Sequence, residues 1–258
     1  MNLKWLRRNR KIGLALGGGA ALGGAHIGVL RAFEELGLRI SYISGNSIGA
    51  VVACLYAFGK SWQEIDDIAL DMNWLEVSNF SPSKYSLFSN RKLGEKLKEI
   101  IGDKDFDEAL IPLSIVASNL NTGDKTILKK GKVHVAVMAS SAIPGLFKPV
   151  EIEGALLADG GLVENIPISL LQDSRADIII GINLNARRSL RKPENWFGVM
   201  VNSYYTLIDS LSKAYTTNAD LMIEPNLSDF SLIDTKKTKE LAEKGYEEAI
   251  KVLKEYFF

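Results

Sequence analysis

The feature that most constrains the fold is a serine between two glycines, Gly45-Asn46-Ser47-Ile48-Gly49. Strand-forming residues precede it from Ile40, and small and apolar residues suited to a helix follow as far as Ala53. The G-x-S-x-G spacing is that of a nucleophile elbow, a sharp strand-to-helix turn where only glycine lets the backbone pass closely. The following helix N-terminus favours negative charge. The pattern predicts a nucleophilic Ser47; the competing interpretation is a tight turn in a core of small residues.

A second glycine cluster, Gly17-Gly18-Gly19, lies between two segments with clear periodicity. Residues 12–16 predict a short buried strand, and residues 22–36 predict a helix. Nucleotide binding does not fit, because the dinucleotide pattern needs glycine at Leu22 and a phosphate loop needs Lys and Ser/Thr at 24–25. Successive N–H groups at a helix start still form an anion-binding nest. Beside a nucleophilic serine, such a nest fits an oxyanion hole.

Strand and helix patterns alternate along the rest of the chain. Further strands are predicted over 113–119, 125–128, 177–184 and 221–224, with two more around the Glu153-Gly154 turn, and helices over 61–72, 91–101, 133–139, 195–217 and 238–257. This alternation predicts an α/β fold with a mostly parallel sheet and helices on both faces. The length of 258 residues suits one large domain or two small ones, and no break favours two. We expect a basic segment at 1–11 and a single domain at 12–258.

A serine hydrolase normally needs a base, and the chain has only two histidines, His26 and His134. An α/β-hydrolase triad carries its histidine after the acid, where this chain has none. We therefore expect structural roles for both histidines and a carboxylate as the base. Asp159 is the best candidate, because it ends an apolar segment at a strand end, where the active sites of parallel sheets collect. The alternative for Asp159-Gly160 is an ordinary turn.

Charge and cysteine content disfavour several other classes of protein. Lys+Arg and Asp+Glu number 31 each, so no overall field attracts nucleic acid. Two isolated histidines and one cysteine make no metal-ligand cluster, and we expect no cofactor. The lone Cys54 fits a reducing compartment and a packing role, hence a cytoplasmic protein. No apolar segment reaches the roughly 18 residues needed to span a bilayer.

Two segments bear on contact with lipid. The basic segment at 1–11 carries Trp5 and superficially resembles the start of a signal peptide, but the glycines after it would weaken a helical apolar region. It suits peripheral contact with an anionic inner membrane surface, with a merely solvated terminus as the alternative. Residues 73–89 hold several aromatic residues without a clear period. They fit either a lid over a lipid site or an irregular segment packed on the core.

The ordered combination of these motifs resembles the patatin-like phospholipases. The segments that carry the resemblance are Leu14–Gly19 with Ala25–Leu30, Gly45–Gly49, Ser140–Phe147 and Asp159–Gly161. It covers about residues 12–185, and it is far more specific than any single motif.

The resemblance implies a three-layer α/β/α fold and a serine–aspartate dyad without histidine. By position, Ser47 would be the nucleophile, Asp159 the base, and Gly17, Gly18 and Gly19 the oxyanion hole. It also implies metal-independent hydrolysis of acyl esters in phospholipids, lysophospholipids or neutral lipids.

One position departs from the family pattern, because Leu22 stands where an Arg or Lys usually precedes the next glycine. Without that cation, oxyanion stabilisation either weakens or depends on the backbone amides alone. We predict a lipid acyl hydrolase of phospholipase A or lysophospholipase type. Two alternatives stay open: a lipid- or fatty-acid-binding protein with little turnover, and a soluble short-chain carboxylesterase.

Overall fold

The computed structural model describes residues 10–71, 79–80, 86–187, 192–215, 218–232 and 234–258. Its strands in chain order are β1 (Ile12–Leu16), β2 (Ile40–Gly45), β3 (Asn79–Phe80), β4 (Ser86–Ser89), β5 (Leu113–Asn119), β6 (Lys125–Leu128), β7 (Gly145–Phe147), β8 (Val150–Ile152), β9 (Ala155–Asp159), β10 (Ile178–Ile182) and β11 (Leu221–Ile223). The helices are α1 (Gly24–Glu35), α2 (Ile48–Ala57), α3 (Trp62–Asp71), α4 (Arg91–Ile101), α5 (Val133–Ser140), α6 (Ser169–Gln172), α7 (Trp196–Tyr215) and α8 (Thr238–Phe257).

A parallel sheet forms the centre of the protein. Its five parallel strands lie in the order β11-β10-β1-β2-β5, and β6, β8 and β9 extend it with antiparallel pairings. Because every parallel strand points the same way, their carboxyl ends meet along one edge of the sheet. This is the edge where ligand sites of open α/β sheets usually lie.

The pairing of β5 brings two distant segments together. Ile115 pairs with Gly45 of β2 on one side and with β6 on the other. Ala117 pairs with Asp159 of β9 and again with β6. Since a strand has only two edges, β2 and β9 share the same edge of β5. Because β9 is antiparallel to β5, the last residue of β9 lies just beyond the last residue of β2.

Alternate residues along a strand point to opposite faces of the sheet, and both faces are buried. Leu14 and Leu16 belong to the large core that packs against helices including α1, α2 and α8. Ala15, between them, faces a smaller cluster on the other side, formed with Ile166, Ile168 and Leu171 around α6. The period-2 pattern of β1 thus supports a helical layer on each face. The predicted three-layer fold with a mostly parallel sheet is confirmed.

The predicted elements are observed with small shifts at their ends. The helix expected over 22–36 begins earlier, with a 3-10 turn at Ala20–Gly23 that leads into α1. The helix expected over 195–217 is α7, and residues 216–217 lie outside the described residues. No described helix is both long enough and apolar enough to cross a lipid bilayer.

Most of the segment predicted to be a lid or an irregular packed segment, 73–89, lies outside the described residues. Its described parts are β3 and β4, which form a small separate sheet with β7. Strand β4 runs parallel to β7, with Phe88 paired to Phe147, and antiparallel to β3. The sequence had not predicted these strands, because the aromatic residues show no regular alternation there.

Candidate active site

Ser47 lies at the junction of β2 and α2 in a strained backbone conformation. Its φ and ψ are 53° and −124°, a region that a residue with a side chain rarely adopts. The two glycines of the motif are needed for close approach. A Cβ on Gly45 would lie 2.5 Å from the Ala50 Cα, and one on Gly49 would overlap the Leu16 carbonyl. The turn therefore has the geometry expected of a nucleophile elbow, and 8% of the Ser47 residue surface remains exposed.

Hydrogen bonds from buried polar side chains hold the elbow in place. The Ser140 hydroxyl accepts a hydrogen bond from the Ser47 N–H at 3.0 Å and donates to the Asn46 Oδ1 at 3.4 Å. Asn46 also donates from Nδ2 to the Asn165 Oδ1, at 3.2 Å. Asn46, Asn165 and Ser140 each have 1% exposure or less. In such a site each bond is costly to lose, so this network fixes the backbone around Ser47.

Asp159 is fixed through its backbone as well as its side chain. Its N–H donates to the Ala142 carbonyl at 2.9 Å, and its carbonyl accepts from the Ser118 hydroxyl at 2.7 Å. The side-chain Oδ1 accepts from the Gly161 N–H at 2.8 Å, and the residue is only 1% exposed. This last bond is the Asp-Gly turn geometry that the alternative interpretation predicted. The turn therefore fixes one oxygen of the carboxylate.

Burial raises the pKa of the Asp159 carboxyl, because the charged form loses its hydration. The Gly161 N–H and the side chains of Ser47, Tyr204 and Asn46 oppose this shift. The Ser47 side chain is therefore close enough to the carboxylate to act on its pKa. The Tyr204 hydroxyl, on α7, approaches the same group without reaching ordinary hydrogen-bond geometry to any described residue. Catalytic contacts are often this loose before substrate binds.

The glycine turn lies directly against the elbow. A Cβ on Gly18 would stand 3.3 Å from the Cβ of Ser47. The Gly17 N–H, however, donates to the Ile182 carbonyl, and the Gly18 N–H to the Asn165 carbonyl, each at 3.2 Å. The next two N–H groups, those of Gly19 and Ala20, donate to no acceptor within the described part of the chain. The first two amides therefore shape the turn, and the next two are the ones left for an anion.

The conformation around these amides is itself unusual. Ala20 has φ 48°, and the other non-glycine residues with positive φ among those described are Ser47 and Glu153. Glu153 belongs to the hairpin turn between β8 and β9, which accounts for its conformation. The other two, Ala20 in the glycine turn and Ser47 in the elbow, both belong to the candidate site. Strained backbone of this kind clusters at functional sites and survives only where the surroundings enforce it.

Two further side chains hold the glycine turn. His26, fully buried on α1, bonds through Nε2 to the Gly17 carbonyl at 2.8 Å. Burial lowers the pKa of His26 to about 4, so the ring is neutral at pH 7 and Nε2 carries the donated hydrogen. The Asn185 Nδ2 donates to the Gly18 carbonyl at 2.9 Å. The structure therefore gives His26 a contact that supports the turn, and its Nδ1 has no hydrogen-bond partner among the described residues.

An ion pair between a buried glutamate and an exposed lysine anchors the loop that follows Asp159. The Glu164 carboxylate has no exposed surface and lies 2.9 Å from the Lys125 Nζ. It also accepts hydrogen bonds from the Ser169 N–H and hydroxyl. The next residue, Asn165, is the one that contacts both the glycine turn and Asn46. Glu164 thereby connects the loop after the aspartate to the rest of the site.

Neither His134 nor the cysteine belongs to this site. His134 lies in the first turn of α5, and its Nδ1 is 3.7 Å from the Asp103 Oδ1. Cys54 is fully buried in α2, where burial raises the pKa of its thiol. Among the described residues, one group of acidic side chains has metal-like spacing: Asp105, Asp107 and Glu108. Glu108 there is already engaged by Lys104 at 2.7 Å and by the Asp105 N–H at 2.9 Å.

The site thus contains residues that the sequence singled out and others that it did not. Ser47, Asp159 and the three glycines lie together, as their positions at strand ends predicted. Tyr204, Asn165 and Asn185 were not predicted, because they come from distant segments. Asn46 and Ser140 gave a usable signal, since Asn46 belongs to the elbow motif and Ser140 begins a segment that carries the family resemblance.

The sequence matches a known family over most of this region. The model of the family "Patatin-like phospholipase" matches residues 14–171. An uncharacterized NTE family protein of Mycobacterium tuberculosis is 33% identical over 215 residues, which cover 77% of this chain and 58% of that protein. Neuropathy target esterase sws of Drosophila melanogaster is 29% identical over 71% of this chain and 13% of its own length. Lysophospholipase NTE1 of Coccidioides immitis is 25% identical over 92% of this chain and 17% of its own length.

Two solved structures share the fold. VipD from Legionella pneumophila superposes with a TM-score of 0.60 at 17% identity, covering 96% of this chain and 67% of that one. The type III effector protein ExoU superposes with a TM-score of 0.55 at 12% identity, covering 96% and 54%. At such identities the likeness concerns the fold alone. The chain spans little more than half of the mycobacterial relative and less than a fifth of the other two.

Proposed function

Because the chain belongs to the patatin-like phospholipase family, we propose that it is a lipid acyl hydrolase in which Ser47 is the nucleophile and Asp159 the base. The observation that carries this proposal is that β2 and β9 bring Ser47 and the buried Asp159 to the same edge of β5, close enough for the serine side chain to act on the pKa of the carboxyl. An esterase and a lysophospholipase among the relatives support acyl esters of phospholipids or lysophospholipids as the substrate class.

The proposed reaction has two halves. Asp159 accepts the hydroxyl proton while the Ser47 Oγ attacks the ester carbonyl carbon, which gives a tetrahedral intermediate. The intermediate collapses to an acyl-serine, and Asp159 returns the proton to the departing alcohol. Asp159 then takes a proton from water, and the hydroxide attacks the acyl-serine. Collapse of this second intermediate releases the fatty acid and restores the Ser47 hydroxyl. The chain's own groups suffice for every proton transfer.

We propose that the oxyanion hole differs from the one the sequence predicted, which used the amides of Gly17, Gly18 and Gly19. Gly17 and Gly18 keep their N–H groups in backbone hydrogen bonds, so we assign the donors to Gly19 and Ala20. Leu22 is fully buried in the main core and offers no cation to this site. Backbone amides alone then stabilise the developing charge, an effect worth several kcal/mol when the donors are fixed in advance.

Three broader proposals accompany the chemistry. We propose that residues 12–258 act as a single hydrolase domain, because α8 at the chain's end packs on α1 at its start. We also propose a cytoplasmic protein with peripheral contact to an anionic membrane. The basic segment predicted to make that contact lies largely outside the described residues.

Helix α7 supports the proposed lipid contact within the described residues. Its outer side exposes Trp196, Val199 and Leu207, at 70%, 52% and 46%. Its inner side carries Tyr204 to the Asp159 carboxylate. A lipid surface bound to the outer side would therefore be separated from the site by one helix. Aromatic and aliphatic side chains of this kind bind the membrane interface.

The decisive test compares the wild type with Ser47→Ala. Both are incubated with mixed phospholipids and lysophospholipids, and the released fatty acids are identified by mass spectrometry. We expect fatty acid release and rapid fluorophosphonate labelling in the wild type, and neither in the variant, with unchanged folding by circular dichroism. Full activity of Ser47→Ala would contradict the proposal. Wild-type labelling without lipid products would favour a soluble esterase, and failure to label would favour a lipid-binding protein.

A further inference from the structure

Tyr204 carries a buried hydroxyl that has no hydrogen-bond partner among the described residues. It lies on α7, which begins at Trp196, whereas the match to the family ends at residue 171. Leaving a buried hydroxyl without a partner is costly, and folded proteins seldom do so without a reason. The groups that surround this hydroxyl therefore indicate its role.

Gly161 brings the Tyr204 hydroxyl next to Asp159. A Cβ on Gly161 would stand 3.0 Å from the Tyr204 Oη and 3.1 Å from the Asp159 Oδ1. Both oxygens therefore border the space that a side chain at position 161 would fill, and its absence leaves room for them to approach each other. The hydroxyl is close enough to the carboxylate for each group to act on the pKa of the other.

Helix α7 holds Tyr204 at this place. Ile208, which is buried, has its Cδ1 2.9 Å from the position of the same Gly161 Cβ. Residues four apart lie on one face of a helix, so Tyr204 and Ile208 together rest α7 on the 3-10 turn Gly160–Leu162. The Tyr205 ring adds an edge-to-face contact, with its centroid 5.5 Å from that of Tyr204. These contacts fix the Tyr204 ring beside the carboxylate.

The Tyr204 hydroxyl keeps its proton at working pH. Burial and the neighbouring Asp159 raise its pKa well above the ordinary value of 10.0. An ionised carboxylate only accepts hydrogen bonds, so a bond between the two groups runs from Tyr204 to Asp159. Such a bond favours the ionised carboxylate, whereas burial favours the neutral form.

The other groups of the site have partners of their own. Glu164 pairs with Lys125, and the neutral His26 bonds to a backbone carbonyl. On β5, the Ser118 hydroxyl bonds to the backbone carbonyl of Asp159. Apart from burial, the strongest influences on the Asp159 carboxyl come from uncharged groups: the Gly161 N–H and the side chains of Ser47, Tyr204 and Asn46.

Among these side chains, Tyr204 is the one left to serve Asp159 alone. Ser47 gives up its proton in the proposed reaction, and Asn46 also donates to Asn165. We propose that Tyr204 is a positioning residue, which donates its hydroxyl hydrogen to the Asp159 carboxylate and keeps that carboxylate ionised for its role as the base. This inference rests on the hydrolase function proposed above. Its physical reason is that a buried carboxyl that is protonated cannot take up the Ser47 proton.

Tyr204→Phe removes the hydroxyl and keeps the ring. We would measure kcat/KM for p-nitrophenyl butyrate across a pH series. Without the donor the pKa of Asp159 rises, so the midpoint of the pH–rate profile should move to higher pH. Below the wild-type midpoint we expect a loss of about tenfold, the lower end for a hydrogen bond to a charged group. Well above both midpoints the loss should disappear, because the carboxylate is ionised in both proteins.

Tyr205→Phe is the matched control, because it removes the same atom from the next residue of α7. It should keep the wild-type midpoint. A wild-type midpoint in Tyr204→Phe overturns the inference, whether its rates are unchanged or lowered by one factor at every pH, since a purely structural role would give that result. An equal shift of the midpoint in Tyr205→Phe overturns the inference as well.

Direct titration of Asp159 distinguishes failure of this inference from failure of the hydrolase proposal. If the wild type cleaves no ester, the hydrolase proposal fails, and the Asp159 carboxyl is then followed by NMR in protein labelled with carbon-13 aspartate. Its signal is the one that is absent from Asp159→Asn. A higher midpoint in Tyr204→Phe than in the wild type and Tyr205→Phe supports the inference. Equal midpoints in all of these proteins overturn it.

Discussion

Asp159→Asn is the substitution that most directly tests the proposed base. The amide keeps the size of the carboxyl, and its oxygen can still accept the Gly161 N–H bond now measured at 2.8 Å. It cannot take up the Ser47 proton. General base catalysis contributes about 10²- to 10⁴-fold, so kcat/KM should fall by that factor, or by about 3–5 kcal/mol in the barrier.

The same substitution should raise stability at neutral pH. Burial raises the folded-state pKa of Asp159 above its ordinary value of 3.8, so the folded state prefers the neutral carboxyl. Its contribution to stability is fully present below pH 3.8 and is lost as pH rises through the folded pKa. An asparagine has no such loss. A gain of 1 kcal/mol would raise Tm by about 2–4 °C in a protein of this size.

The assay is a pH series of kcat/KM and Tm for the wild type, Asp159→Asn and three comparison variants. Wild-type activity should rise with pH around a midpoint above 3.8, as the carboxylate ionises. Asp173→Asn, the same change at an exposed position, should retain full activity, as should His134→Gln. His26→Gln should lose only part of its activity, because its role is to hold the Gly17 carbonyl. An inactive His26→Gln together with an active Asp159→Asn would refute the dyad.

Two further predictions concern the departure from the family pattern and the N-terminal segment. Leu22→Arg should lower Tm by about 6 °C or more without raising kcat. The reason is that Leu22 has no exposed surface and that a buried unpaired charge costs several kcal/mol. A stable variant with higher kcat would show that the guanidinium can reach the oxyanion. Replacing Arg7, Arg8, Arg10 and Lys11 by Gln should weaken sedimentation with anionic vesicles at least tenfold, at about 1 kcal/mol for each basic group near the surface, whereas equal partition would leave this segment a solvated terminus.

The local parts of the fold could be predicted from the sequence because short-range periodicity determines them. Residues 113–119 and 238–257 read as a strand and a helix, and β5 and α8 have those bounds. The elbow could be predicted for the same reason, since the two glycines and the serine are neighbours in the chain. Asp159 needed one more premise, that its strand ends at the edge of a parallel sheet.

The remaining features depend on pairings that no local pattern encodes. Whether the Gly17 and Gly18 amides are free depends on carbonyls at Ile182 and Asn165, far away in the chain. The approach of Tyr204 to Asp159 depends on how α7 lies over the sheet. Leu22 is buried in a core to which residues from distant helices contribute. Long-range packing therefore decides which groups of a predicted motif remain available.

The shared edge of β5 has a consequence for how such a protein can diversify. Ser47 and Asp159 are held at one separation by backbone hydrogen bonds to β5, through Gly45 and through Asp159 itself. The chain between Ser47 and Asp159 forms hairpins that turn at Gly123 and Gly154, where a Cβ would meet no other atom within 4 Å. Insertions at those turns would lengthen the hairpins without moving the side chain of Ser47 or Asp159. Descendants of this fold can thus acquire new surfaces for new substrates while the distance between the two reacting groups is inherited unchanged.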